Sequence, residues 1–403
     1  MSTGGKGGGD PWAWLGLLKW TLAHSDGTKP SDPAKIMSDE DRAFLEMVMK
    51  EGIIDENERM KIILEEFSKA MEYYKIQAER LTKIDEDQND DDDDDDVAEK
   101  EEEEKEKDAE SSSQPIPNDE ALEELLQELR DIVEQVDYAR AFVSLKGCSF
   151  LLGAISAMSS SSSSSSSSLS SSSAPTPIIP EPIRNICLGI LSTLAQNNPP
   201  VQKELLEIGA LKTLSDMFLL DSSTTSLSTK TKIMQSVSAI VRNCDLTEAV
   251  FEQLPQAPVL MVQGLSSDPE VSNVSLRTKT LFFLRAYLTS DNATPERAKT
   301  FSYAIALVAD PQYLNDNGED DGAAITLRES SIALLQQLLE RRMAVTLLLQ
   351  RKNILASLGV ERIKNMRALT GDDADRTKEE LHLWETFLVL LARTEPEEEI
   401  LDN

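Results

Sequence analysis

"LSTLAQNNPPVQKELLEIGALKTL", residues 191–214, begins as an apolar-striped helix, is cut at Asn197, Asn198, Pro199 and Pro200, restarts at once, and is cut again at Gly209. Each break has a local cause. Asn tolerates the left-handed conformation that ends a helix, and the prolines bring preset φ values suited to the first turn of the next one. Gly209 supplies the second turn at no steric cost. The stretch therefore reads as the corners of a unit of three helices: 181–198, 199–209 and 210–220.

The same template recurs along the chain. A long helix, a short one and a third that packs back are readable at 120–136, 137–147 and 148–158, at 228–245, 246–256 and 257–265, and at 273–292, 294–301 and 302–310. A fifth unit begins with "AAITLRESSIALLQQLLERR" (323–342), and a helix at 374–392 with Leu381, Trp384, Leu388 and Leu391 on one stripe reads as a terminal cap. The spacing is about 45 residues, within the 40–47 range of armadillo and HEAT repeats. Units of this size cannot bury their apolar faces alone and stack on their neighbours. The expected fold is all-α, an armadillo-like right-handed superhelix (α-solenoid) with a flexible N-terminal segment.

Outside the repeats the composition shifts. Residues 85–110 hold 18 Asp or Glu against 3 Lys, nearly half of the chain's net charge of −32. Like charges at that density stay solvated, and an unbroken row of Asp lacks the alternating ligands and turn glycine of a calcium loop. Residues 159–173 are 14 Ser and one Leu, a second insertion that cannot bury a core. The domain reading is a flexible segment at 1–34, N-terminal helices at 35–84, an acidic disordered linker at 85–117, armadillo-like repeats at 118–365 interrupted by a Ser-rich loop at 159–177, and a capping helix with an acidic tail at 366–403. Within the N-terminal helices, Ser38 and Asp41 cap a pattern carrying Phe44, Leu45, Val48 and Met49. A second helix, 55–83, carries Met60, Ile63, Leu64, Phe67, Met71 and Tyr74 on one stripe.

The acidic balance disfavours nucleic acid and anionic membrane as partners and points to a protein. No apolar run approaches the roughly 18 residues of a membrane span. "PWAWLGLLKWTLA" (11–23) resembles a signal-peptide core but is interrupted by Lys19 and crowded with tryptophan; the expected compartment is the cytoplasm, with the nucleus left open. Cys148, Cys187 and Cys244 lie far apart and are an odd number, which excludes a complete disulfide framework; reduced, buried thiols are expected. With two histidines, His24 and His382, no paired zinc spacing, no phosphate-cradling Gly loop and no nucleophile elbow, the chain is expected to be a non-enzyme without cofactor or metal.

Two features stand out from a solvated helical surface. Trp12, Trp14 and Trp20 crowd a short apolar segment ahead of the repeats, which either packs on the first helices or behaves as a mobile peptide ligand. "SLRTK" (275–279) puts two basic groups at a helix start, where the dipole disfavours them; it is either a solvated face or a partner-facing pair.

The ordered set "LLKWTLAHSDG", "SDEDRAFLEMVM", "LRDIVEQVDYARAFVSLKG", "LAQNNPPVQKELLEIGALKTL", "SAIVRN" and "SLRTKTLFFLRAYL" resembles the armadillo-type nucleotide exchange factors of heat-shock protein 70 chaperones, the Fes type or heat-shock-protein-70-binding proteins. The likeness covers the N-terminal motif and most of 119–310. It implies a monomer without catalytic residues whose concave face embraces one lobe of the chaperone ATPase domain, opens the nucleotide cleft, releases ADP and promotes client release. It further implies that the N-terminal segment mimics a client, which falls on Leu17, Leu18, Trp20 and Leu22. The partner-binding positions it implies are Ala139, where a small residue permits close approach, and the basic Lys279 with Arg277 beside it; Arg242 of "SAIVRN" joins them. Tyr138 stands where the family usually has Asn, and the acidic and Ser-rich insertions have no counterpart in its shorter members. The alternative is a general armadillo scaffold for extended peptides. Import adaptors of that kind use a Trp and Asn ladder, whereas the tryptophans here, at 12, 14, 20 and 384, lie outside the central repeats.

Overall fold

The computed structural model describes residues 55–87, 118–158, 177–222, 224–314 and 322–395. The expected segment 1–34, the helix from Ser38, the linker beyond Asp87, the Ser-rich run and the tail beyond 395 lie outside the described residues. The chain divides between Ile62 and Ile63, and the packing that follows is that of the unit from Ile63 onward.

The first described helix, α1 (Glu56–Asp87), extends three residues into the expected linker and buries Ile63, Phe67, Ala70 and Tyr74. The three-helix template then repeats: α2 (Asp119–Val133), α3 (Val136–Ser144) and α4 (Gly147–Ser156); α5 (Glu181–Ala195), α6 (Pro199–Glu207) and α7 (Ala210–Phe218); α8 (Leu227–Val241), α9 (Asp245–Gln253) and α10 (Gln256–Gly264). It continues as α11 (Val274–Leu288), α12 (Pro295–Thr300) and α13 (Ser302–Val308), with the one-turn α14 (Pro311–Leu314) behind them. The last elements are α15 (Gly322–Glu340), α16 (Val345–Gln350), α17 (Lys352–Arg367), α18 (Asp372–Arg376) and α19 (Lys378–Arg393).

The helices form ladders. The long ones α2, α5, α8, α11, α15 and α19 each pack on the next; α3, α6 and α9 make a second row, and α4, α7, α10 and α13 a third. Every repeat thus buries its apolar stripes against its own two short helices and against the neighbouring repeat, the arrangement of an all-α solenoid. Among the described residues no strand occurs; Met158 and Pro177 make an isolated antiparallel bridge, and Ile178 N–H donates to Ala157 O at 3.1 Å. The two ends of the Ser-rich insertion therefore meet, as expected of a loop between α4 and α5. No single described helix is long and apolar enough to cross a membrane.

The corners match their sequence causes. Asn197 has φ 52° and Gly209 φ 78°, both left-handed, with Pro199 opening α6. One repeat later Asn243 (φ 60°) takes the same conformation, and its side-chain amide donates to Asn197 Oδ1 at 2.9 Å. Gln202 on α6 is fully buried and donates to the carbonyls of Ala239 (2.9 Å) and Arg242 (2.7 Å), satisfying the open C-terminal end of α8. At the first end of the array, Tyr74 O–H donates to Asp119 Oδ1 at 2.5 Å and Phe67 meets Phe150 edge-on at 5.3 Å, which docks α1 on α2 and α4.

Two ionic clusters were not legible in the sequence. Arg297 on α12, 3% exposed, reaches Glu248 (2.9 Å), Glu252 (3.1 Å) and the Tyr287 carbonyl (3.0 Å), and lies over the Tyr287 ring beside Phe251, Phe283 and Phe301. At the other end Glu380 of α19, fully buried, binds Arg328 of α15 at 3.1 Å and Arg362 of α17 at 2.8 Å. The cap stripe is accordingly Glu380, Trp384, Phe387 and Leu391, with Leu381 and Leu388 only half-buried. Of the cysteines, Cys148 and Cys187 are buried, and burial pushes the Cys148 thiol up to about 12. Cys244 is partly exposed, contrary to expectation, because it sits at the turn that opens α9.

Glu380→Gln leaves two guanidiniums facing a neutral amide in a dry site and is expected to destabilise the protein by about 3–5 kcal/mol, read as a loss of unfolding free energy in urea. Glu329, beside this cluster, has its carboxyl held above the usual carboxylate range by burial and then by the neighbouring Glu380 and Glu379. Folding then favours its protonated form, so its unfavourable contribution is absent below the unfolded-state pKa and grows as pH rises through the folded one. Glu329→Gln should raise Tm at pH 7 and leave it nearly unchanged at pH 4; equal shifts at both pH values would contradict the assignment.

Candidate partner-binding surface on the long helices

Equivalent positions of α5, α8 and α11 form one face. Position 4 of each helix is basic, Arg184, Lys230 and Arg277, and all three are buried, at 3%, 4% and 8% exposure. Lys230 Nζ sits 5.7 Å from the centre of the Phe218 ring at the end of α7. Burial draws the pKa of Arg184 and of Lys230 down from the ordinary values. Arg277, expected to face a partner beside Lys279, therefore belongs to a repeated buried row. Two residues along a helix, a side chain points about 200° away, so Arg277 and Lys279 take opposite faces.

Lys279 is exposed, at position 6 of α11, with Lys232 half-exposed at position 6 of α8. Between these helices and the end of α5 lies a shallow depression of about 190 Å³ lined by Ser192, Gln196, Gln235, Ser238, Arg242, Lys279 and Phe282. Arg242 caps α8 at its C-terminus, its own carbonyl held by Gln202, and its guanidinium lies 4.5 Å from the centre of the Phe282 ring. Its Nε is buried without a hydrogen-bond partner, and burial lowers its pKa below the ordinary value. Phe282 remains 45% exposed. The depression thus pairs two cations, hydroxyl and amide groups and one aromatic face, and its lining contains no carboxylate. Neither α8 nor α11 contains a single Asp or Glu in a chain that has 72.

Of the sequence-derived positions, the structure brings together Arg242 and Lys279. It separates Ala139, which is 2% exposed on the inward stripe of α3 with Phe142: its small size serves packing, because a residue three before Phe142 on a helix shares the buried face. Leu17, Leu18, Trp20 and Leu22 lie outside the described residues. Phe282, Gln235 and Gln196 were missed. The one available signal was the pair Phe282-Phe283, since adjacent helical residues point about 100° apart and both rings cannot be equally buried.

Among the described residues no group of three or more His, Cys, Asp and Glu side chains is placed to hold a metal ion. The fold defines the chain as an armadillo-like helical-repeat protein. No protein-family model matches the sequence, and no curated protein matches it. Among solved structures it is similar to a designed armadillo repeat protein, at 12% identity and a TM-score of 0.44 over 68% of this chain and 95% of the other. A second designed armadillo repeat protein, solved in complex with the peptide (KR)4, is 13% identical with a TM-score of 0.44 over 67% of this chain and 95% of that one. An engineered protein is 11% identical with a TM-score of 0.45 over 72% and 57% of the two chains. The three-helix ladders, not these likenesses, carry the fold assignment.

Placing a long cation on the α3 inward stripe overpacks it and buries a charge, so Ala139→Arg should cost more than about 3 kcal/mol, whereas Lys279→Glu should change stability by less than about 0.5 kcal/mol. Paired urea titrations separate a core position from a surface one.

Proposed function

We propose that this protein acts by binding another protein through the long-helix face, and that it is a nucleotide exchange factor for a heat-shock protein 70 chaperone. The observation that supports the reading is the carboxylate-free face of α8 and α11, on which Arg242, Phe282 and Lys279 converge. The partner is suggested by the sequence: of the ordered motifs that resemble the exchange factors, "SAIVRN" ends α8 and "SLRTKTLFFLRAYL" forms α11, the next long helix.

On this reading the protein performs no chemistry of its own. It grips one lobe of the ATPase domain and binds the open form of the nucleotide cleft better than the closed one. A ligand shifts such an equilibrium only by its difference in affinity for the two states. A rigid solenoid suits the task because a curved face held by buried contacts loses little freedom on binding. ADP leaves the opened cleft, ATP enters, and the client is released in the cytoplasm. Leu17, Leu18, Trp20 and Leu22 serve as a client-like segment that occupies the vacated peptide site. The coarser reading, a helical-repeat binding scaffold, rests on the same face without the chaperone.

The test is release of a fluorescent ADP analogue from the chaperone. The protein should accelerate it, and the double substitution Arg242→Glu with Lys279→Glu should reduce the acceleration at least tenfold while circular dichroism stays unchanged. Absence of acceleration by the intact chain would refute the exchange-factor reading and leave the scaffold.

A further inference from the structure

The cationic face stands out most against the chain that carries it. Lys232, Arg242, Lys279 and Arg285 lie on or beside α8 and α11, which hold no acidic residue, while residues 85–110 carry 18 carboxylates against 3 lysines. We propose that this face is an intramolecular docking site for the chain's own acidic run, residues 90–108, so that an outside partner binds only by displacing it. The inference goes beyond the exchange-factor reading and does not depend on which partner uses the face.

Two observations and one argument from mass action carry it. The first is the setting of Arg242: its guanidinium stacks on the exposed Phe282 ring and lines, with Lys279, a depression that contains no carboxylate, so the charge-assisted partner that a guanidinium favours is missing from its surroundings. The neighbouring hydroxyl and amide groups of Ser192, Ser238, Gln196 and Gln235 accept or donate hydrogen bonds without adding charge. The second is reach. The 30 residues between Asp87 and Asn118 are anchored at Asn118, immediately before α2; Tyr74 touches Asp119, and thirteen helical residues place Asp87 within about 20 Å of it. From α2 to α11 is three helix steps of about 8–10 Å each. Ten extended residues cover about 33 Å, so the run reaches α8 and α11 from Asn118 with chain to spare.

The third is competition by mass action. A segment tethered by a linker of this length is present at an effective concentration on the order of millimolar, above the level of most free partners. Its attraction is Coulombic and exposed, hence individually weak and sensitive to salt. The docked run would hold the face against weakly attracted acidic surfaces and yield to a partner that also packs on Phe282.

Zero-length carbodiimide coupling of the full chain, at low protein concentration and low salt, tests this directly. Lys279 and Lys232 should couple to carboxylates between Asp90 and Asp108, with the pair Lys212 and Asp216, 2.6 Å apart on α7, as an internal control. The couplings should vanish at about 0.5 M salt and in a variant with Asp90 to Asp96 replaced by Asn, while the control persists. In a mixture of isotope-labelled and unlabelled protein they should join segments of one chain; couplings between chains would overturn the proposal in favour of a second copy. A fluorescent hexaglutamate peptide should bind the Asn variant at least fivefold more tightly than the parent, and lose binding when Arg242→Gln and Lys279→Gln are added. Equal affinity for parent and Asn variant, or no coupling at Lys279 and Lys232 while the control couples, would equally overturn it. No chaperone is present, so the outcome is independent of the exchange assay.

Discussion

The buried amide of Gln202 ties the repeats together. It reaches from the start of α6 into the next repeat and donates to two carbonyls at the end of α8, while Asn243 beside it donates to Asn197. Carbonyls at a helix end have no partner within the helix, and burying them without one costs about 1–3 kcal/mol each. One side chain therefore removes two such penalties and sets how far α8 can slide along α5. The same contact fixes the backbone of Arg242 and hence the place from which its guanidinium crosses to Phe282. Scaffold and candidate binding face are joined through a single residue of the corner.

Two later joints are held differently. Between α9, α11 and α12 the joint is ionic and aromatic, with Arg297 gathered between Glu248, Glu252 and the Tyr287 ring; between α15, α17 and the capping helix it is the carboxylate of Glu380 between two guanidiniums. Buried ion pairs contribute little net stability compared with well-packed apolar groups, yet they are expensive to break. They fix register where apolar packing alone permits sliding. Gly359 shows how close that register is: a Cβ there would lie 2.7 Å from the Trp384 ring.

The basic residues show where local reading ends. Arg184, Lys230, Arg277, Lys279 and Arg242 are all cations on long helices, and charge alone assigns each to the surface. Three of them, each at position 4 of its helix, are buried, and Lys230 lies against Phe218 of the preceding repeat. Ala139, where the resemblance places a close approach to a partner, packs closely against its own core.

Sequence alone determined the helices, their grouping in threes, the corners at Asn197–Asn198 and Gly209, and the insertion of the Ser-rich run between repeats. Each follows from interactions within a few residues: apolar spacing of 3.6, proline's fixed φ, and the tolerance of Asn and Gly for positive φ. Tertiary structure alone decided which cations are buried, that Phe282 turns outward while Phe283 turns in, and that Gln202, Arg297 and Glu380 are joints. Those outcomes depend on residues 18 to 52 positions away, brought alongside by stacking, and no local pattern contains that distance.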